Sequence, residues 1–337
     1  MEEILNSRTE EEVKPRSIHS AFMDLKFGML VHFGINTFFN TETSDGKLPL
    51  HGFNPPEVDT DQWCLTARNC GMKYMVYSAK AIDGFCSWPS RFSDYNVSYT
   101  PYKDDILQKL VNSANKYGLR VGFTYSLWDN YIMQSDPEEK RYQEFILNQV
   151  EELLSDYGEL IEIWFDSFWL RQSSGWKGEG GFASDQRHFI HSWRREGAFR
   201  WQWDRLYRLV KSIQPDCLVF NNSTRVFRGL PLHPVDGRNA EKGQDLEDDH
   251  AVWDWLGNKS FLPLQIETTL SVKGKGKFAD GNWYYHQGDN SIAKRWQVNG
   301  WKRKAEKIKA NLLLNVGPGP FGRLRPEDEK LLLKINE

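Results

Sequence analysis

Glu159-Leu-Ile-Glu-Ile-Trp-Phe-Asp166 is a short apolar run that follows a long amphipathic segment and Gly158 and closes on a carboxylate. A run of this length after a glycine stop predicts a buried strand fed by a helix. In a barrel of alternating strands and helices the chemistry sits at the C-terminal strand tips, which makes Asp166 the first catalytic candidate. An aspartate that merely opens a loop is the plainer alternative. Side chains alternate along a strand, so Leu160, Glu162, Trp164 and Asp166 share one face and Ile161, Ile163 and Phe165 the other. The second set suits a covering layer of helices. Asp166 then faces the barrel mouth, and Glu162 lies roughly 13 Å deeper at about 3.3 Å per residue. That is too deep for a substrate, and Glu162 is expected in a buried structural ion pair.

The same alternation extends in both directions along the chain. Lys26–Phe33, ending in His32, and Met72–Ala79 read as strands. Asp104–Tyr117 carries Ile106, Leu107, Leu110, Val111, Ala114 and Tyr117 on one helical face, with Gly118 as its stop and Leu119–Ser126 as the next strand. Asp136 as N-cap, Pro137 at the first helical position and Glu139 at the capping-box position open a further helix. Beyond Asp166, residues Ser167 to Phe199 are rich in Gly, Ser, Trp and Arg and show no period, which marks an insertion at about 167–200. A helix Trp201–Ile213 follows, then strands Cys217–Asn221, Leu264–Thr269 and Asn311–Val316, with a helix Ile292–Ile308 between the last two. An eighth strand is expected within Arg225–Trp255. No linker or repeat divides the chain, so the expectation is α/β, a single irregular (β/α)8 TIM-like barrel over 21–337 with an N-terminal extension over 1–20.

With 337 residues, 39% hydrophobic and 26% charged, the chain has globular composition. A net charge of −3 and no basic tract longer than Lys302-Arg-Lys304 speak against a nucleic-acid partner. Cys64, Cys70, Cys86 and Cys217 lack metal-ligand spacing and read as buried thiols, and neither metal nor organic cofactor is expected. Residues Met1 to Arg16 have no signal-peptide apolar core, and no run reaches the roughly 18 apolar residues of a membrane helix. A cytoplasmic, membrane-free protein is expected, periplasmic if a leader has been removed; its oligomeric state is left open.

Inward at the tip of the first strand, His32 can hydrogen-bond a sugar hydroxyl or shuttle a proton; a satisfied core histidine is the plain alternative. Fourteen Trp and thirteen Tyr exceed what one core hides. Trp88, Trp128, Tyr131, Trp169, Trp176, Trp253, Trp283, Tyr284 and Tyr285 fall in presumed mouth loops, where flat rings with a polar handle suit a small carbohydrate. Trp164, on the inward face, joins that set. Glycoside hydrolysis needs a second carboxyl group besides Asp166. The acidic loop Asp236–Asp249 offers Glu241, Asp245 and Glu247, and the strand Leu264–Thr269 offers Glu267.

Lys26-Phe-Gly-Met-Leu-Val-His-Phe-Gly34, Gln62-Trp63 with Thr66-Ala-Arg68, Gly71-Met-Lys-Tyr74, Asp83-Gly-Phe-Cys-Ser-Trp-Pro89, Asp94-Tyr95, Tyr157-Gly158, Ile163-Trp-Phe-Asp166 and Asn311-Leu-Leu-Leu-Asn-Val-Gly-Pro318 together resemble the α-L-fucosidase family of retaining glycoside hydrolases. The likeness runs in order from about residue 22 to 335. It implies a barrel catalytic domain, Asp166 as nucleophile and His32 as a sugar-hydroxyl ligand. The family's acid/base is a glutamate in a poorly alignable loop, and Gly237-Arg-Asn-Ala-Glu241 looks most like it, which favours Glu241.

Three departures accompany the resemblance. Where the family shows two adjacent histidines before Asp-Gly-Phe, this chain has Ala81 and Ile82, an apolar pair that cannot replace their hydrogen bonds to fucose. Ser167 follows the nucleophile in place of the customary glycine. The C-terminal β-sandwich that usually follows the barrel is not expected here. The function that results is an exo-acting retaining glycosidase of α-L-fucosidase type on a fucose-like or altered, less polar sugar. Its rival is a carbohydrate-binding protein that kept the barrel and lost hydrolysis, and an inverting glycosidase is a third reading.

Overall fold

The computed structural model describes residues 14–136, 141–167, 201–221, 234–241, 250–253, 259–272 and 281–335. Eight strands form one sheet: β1 (Phe27–Val31), β2 (Tyr74–Lys80), β3 (Arg120–Ser126), β4 (Glu162–Asp166), β5 (Leu218–Asn221), β6 (Arg238–Glu241), β9 (Leu264–Thr269) and β10 (Asn311–Val316). Every neighbour pairs in parallel in the order β5-β4-β3-β2-β1-β10-β9-β6. Chain order is thus followed around a barrel, and a short antiparallel hairpin, β7 (Ala251–Trp253) with β8 (Lys259–Phe261), lies between β6 and β9 in sequence. The eighth barrel strand, β6, falls inside the interval where it was expected. The β7–β8 hairpin was not expected.

Closure between β5 and β6 runs through Asp236. Its amide donates to the Val219 carbonyl at 2.7 Å and its Oδ2 accepts from the Val219 amide at 3.1 Å. Lys211 at 2.6 Å and Arg16 at 2.5 Å neutralise this buried carboxylate.

The helices are α1 (Ser17–Met23), α2 (Ile35–Phe39), α3 (Thr60–Asn69), α4 (Ile106–Tyr117), α5 (Asn130–Ser135), α6 (Tyr142–Asp156), α7 (Trp203–Ile213), α8 (Arg295–Lys307) and α9 (Pro326–Leu333). The predicted α4 stripe is buried as read except for Tyr117, which is half-buried, and Gly118 ends the helix in the left-handed conformation, φ 69. The Asp136 expectation is corrected. Asp136 terminates α5, α6 begins at Tyr142, and Pro137 and Glu139 lie outside the described residues. Asp136 Oδ2 does accept the Arg141 amide at 2.9 Å, so its side chain still serves the entry to α6.

Two apolar layers result. The larger lies between strands and helices and includes Met29, Val31, Met75, Tyr77, Phe123, Tyr125, Ile163, Phe165, Leu312 and Leu314. The smaller fills the barrel: Leu30, Tyr74, Val76, Ile161, Trp164, Leu218, Phe220 and Leu313, with Phe22 of α1 plugging its N-terminal end. Burying Phe22 there contributes about 2 kcal/mol. The predicted alternation holds from Glu162 onward but reverses just before it. Leu160 packs in the helix layer and Ile161 inside the barrel. All four cysteines are buried free thiols.

Candidate active site

Strand alternation delivers the mouth. Inward neighbours on β4 are Glu162, Trp164 and Asp166, and Trp164 packs in the barrel interior. Asp166 is the last residue of β4, partly exposed, and in register with Ser126 at the tip of β3. On β9, Gln265 faces inward, because its side chain reaches Glu162 at 3.3 Å, Asn239 at 3.4 Å and the Tyr74 hydroxyl at 2.9 Å. Two residues on, Glu267 and then Thr269 face the same way. Asn239 and Glu241 do so on β6, where Glu241 is the C-terminal residue and the register partner of Glu267. Glu241 is partly exposed, whereas Glu267 is buried. Glu247 lies outside the described residues.

His32 follows β1 on the inward face, and its protonation is dictated by Asn315 of β10. The Asn315 amide group donates to Thr269 Oγ1 at 3.1 Å and to the Trp283 carbonyl at 2.8 Å, which turns its Oδ1 toward His32 Nδ1 at 2.7 Å. Nδ1 therefore carries the proton, and Nε2 is left as an acceptor. Burial pushes the imidazole pKa down, against the opposing pull of Asn315 and Glu42, and so favours this neutral form. The rings of Trp283 and Tyr284 flank it at 5.5 and 5.3 Å. Asn315, which sets the tautomer, was missed from the sequence, because an asparagine inside an apolar strand carries no signal of its own.

Glu162 differs from expectation. Its described partner is the amide of Gln265 rather than a cation, and its Oε2 is buried with no hydrogen-bond partner among the described residues. Burial raises its pKa to about 8, so the group is protonated at neutral pH. A neutral acid needs no counter-charge, and among the described residues no cation stands beside it.

The predicted aromatic set divides. Trp283 stands at the mouth. Trp128 is buried in the loop after β3 and donates to Asn130 Oδ1 at 2.9 Å. Trp88 is 1% exposed and donates its indole N–H to Glu152 of α6 at 3.1 Å, so it packs beneath the helix layer and away from a substrate. Among the described residues no group of three or more His, Cys, Asp and Glu side chains is assembled for a metal.

A strand tip carrying an aspartate, an inward histidine and two register-paired glutamates is a mouth suited to sugar chemistry. A family model described as alpha-L-fucosidase matches residues 47–230, more than half of the chain. The chain belongs to the α-L-fucosidase family. It is 26% identical over 324 residues to alpha-L-fucosidase 1 of Arabidopsis thaliana, covering 92% of this chain and 57% of that protein. It is 25% identical over 211 residues to the alpha-L-fucosidase of Dictyostelium discoideum, covering 50% of this chain and 46% of that one. A glycoside hydrolase 29 family member from an unknown rumen bacterium shares the fold with a TM-score of 0.75 at 24% identity, over 95% of this chain and 56% of its own. The chain thus spans about half the length of the relatives it matches.

Two departures from the fucosidase-family pattern acquire a physical setting. Ser167 is buried with φ 56, the left-handed conformation that favours glycine, so a serine there bears a backbone cost. Ala81 and Ile82 leave β2 just after a register shift between Ser78 and Lys80. The shift turns Lys80 off the inward face into the helix layer, where Nζ meets Asp129 Oδ2 at 2.9 Å and the Tyr125 hydroxyl at 3.0 Å. The Asn130 amide then donates to the Ile82 carbonyl at 2.8 Å. Next along, Asp83 is buried, held by the Phe85 amide at 2.7 Å and Asn36 at 2.6 Å, and burial raises its pKa to about 6. The apolar pair is therefore carried on a braced turn.

Proposed function

We propose that the protein is a retaining, exo-acting glycoside hydrolase of α-L-fucosidase type. Asp166 acts as nucleophile, Glu241 as acid/base and His32 as an acceptor for a sugar hydroxyl. One observation carries the reading: Asp166 ends β4 on the inward face, with Glu241 at the inward tip of β6. Between them stands β5, so their backbones are roughly 10 Å apart at about 4.8 Å per strand. Side chains converging from that separation can approach the roughly 5 to 5.5 Å of a retaining pair.

In this mechanism Asp166 attacks the anomeric carbon as Glu241 protonates the departing oxygen, giving a glycosyl ester on Asp166. Glu241, now a carboxylate, then takes a proton from water, which attacks the same carbon and frees the aspartate. Neutral His32, with Nδ1–H held by Asn315, offers Nε2 to a hydroxyl and so fixes the ring.

Ala81 and Ile82 favour a sugar that is less polar where they meet it, such as a deoxygenated or methylated fucose or galactose relative. Trp283, whose ring lies 5.5 Å from that of His32, is the aromatic surface nearest this reading, whereas Trp164 and Trp128 are buried. The deciding experiment is a panel of aryl glycosides tested on the parent chain and on Asp166→Asn. The variant should lose on the order of a thousandfold or more in turnover, and the first-formed sugar should keep its anomeric configuration. Unchanged turnover in Asp166→Asn would sink the assignment. The same apolar pair favours a second reading, a carbohydrate-binding protein without hydrolysis, which calorimetric sugar binding with no release from any aryl glycoside would support.

A further inference from the structure

We propose that Glu42 is a positioning residue of the mouth, a buried clamp that holds the segment after β9 so that Trp283 and Tyr284 stand against His32. The inference rests on the reading of this mouth as a sugar site.

Glu42 lies three residues beyond α2 and is 7% exposed. Its Oε2 accepts the Trp283 amide at 2.9 Å, and its Oε1 accepts the Tyr284 amide at 3.1 Å and His286 Nε2 at 2.7 Å. A carboxylate offers about four acceptor positions, and three are taken by one short stretch of chain. Such charge-assisted bonds are strong and directional, and two consecutive amides aimed at one carboxylate restrict the backbone between them.

The stretch lies between β9 and α8 and belongs to no helix or strand. Besides internal bonds from Asn282 to Asp289 and from the Asp289 amide to the His286 carbonyl, it is held from outside itself. Asn315 holds the Trp283 carbonyl at 2.8 Å, and Asn40 Oδ1 holds the Gln287 amide at 2.6 Å. Thr269 and Ser271 hold Asn282 just before it, Glu42 holds Trp283, Tyr284 and His286, and both rings it governs lie within 5.5 Å of the His32 ring. Displacing this segment therefore removes two walls from His32 at once. Glu42 also contributes negative potential at His32, opposing the desolvation there.

The clamp is tested on the whole chain with Glu42→Gln and with His286→Ala, reading amide hydrogen exchange at Trp283, Tyr284 and Gln287. Glu42→Gln keeps the shape, loses the charge and turns one amide toward a donor. Exchange at Trp283 and Tyr284 should rise about tenfold or more. With an aryl glycoside that the parent cleaves, KM should rise about tenfold while kcat moves by less than about threefold. His286→Ala should act in the same direction, and the double variant should be little worse than Glu42→Gln alone. Unchanged exchange overturns the proposal whatever the activity. Strictly additive losses in KM also overturn it, because they make Glu42 a sugar ligand rather than a clamp. Should Glu42→Gln not fold, exchange in His286→Ala decides alone. Should the parent bind and cleave no sugar, the catalytic reading falls while the exchange result still judges the clamp.

Discussion

Glu241 on β6 and Glu267 on β9 are register partners on adjacent parallel strands, both on the inward face, one partly exposed at the rim and the other buried beside it. Their difference in depth underlies the roles proposed for them. Glu241→Gln should slow substrates with poor leaving groups by about a hundredfold or more and spare activated aryl leaving groups. Glu267→Gln should change both classes alike. The reverse pattern in steady-state kinetics would move the acid/base to Glu267.

Restoring the family's histidines tests the apolar wall. Ala81→His with Ile82→His should raise kcat/KM for aryl α-L-fucosides relative to the chain's preferred sugar, by a factor of about ten to a hundred per recovered hydrogen bond. The turn is braced through Asn130 and the Lys80–Asp129 pair, so the fold should tolerate the change. Circular dichroism alongside the kinetics checks this. A selectivity ratio that does not move would mean that Ala81 and Ile82 do not face the substrate.

Glu162 makes stability depend on pH. Its folded pKa, raised by burial to about 8, exceeds the 4.5 of an exposed glutamate, so its contribution is complete below pH 4.5 and is lost as pH rises toward 8. Asp83, raised to about 6 from 3.8, acts in the same direction over a lower window. Between pH 6 and 8 the loss therefore belongs to Glu162 rather than Asp83, and for a fully buried acid it amounts to a few kcal/mol. Glu162→Gln, neutral at every pH, should flatten the urea midpoint over that interval. A midpoint as steep as the parent's would exclude the protonated acid.

Lys80 and Asp129 are a buried pair, their side chains 0% and 1% exposed. Lys80→Met leaves an uncompensated carboxylate and should cost about 3–5 kcal/mol. Adding Asp129→Asn removes the stranded charge and keeps the N-cap that Asp129 gives the Ile132 amide of α5, so most of the loss should return. Denaturant titration of both variants measures this, and equal losses in the two would contradict the pairing.

Much of the barrel was legible because its strands are apolar runs bounded by glycine and polar residues. β9 and β10 match their expected limits, and β1 to β5 differ by a few residues at their ends. Helix α3 was harder to see. Its buried residues include Thr60 and Thr66, which announce no apolar stripe, and its N-cap Asp59 is one aspartate among many. Asp136 carried a capping sequence but follows a short helix instead, because Asn130–Ser135 is nucleated by Asp129. Trp88 was assigned to the mouth from its neighbours in sequence. Glu152, its true partner, lies 64 residues away, and no local pattern encodes that distance. Asp166 and His32 were legible because period two carries an inward position to a strand's end. Glu42 and Asn315 were not, since each acts only through groups that the fold brings to it.

Among the described residues the barrel's circuit between β5 and β6 is completed by one aspartate rather than by a ladder of backbone bonds. Asp166 belongs to the continuous arc on one bank of this gap, and Glu241 rides on the first strand of the other. Among the described residues strand β6 is laced along one edge only, to β9, so its hold on the arc that carries Asp166 rests on Asp236. A fold seamed in this way seats the proposed nucleophile on the laced arc and hangs the proposed acid/base from the far side of the seam.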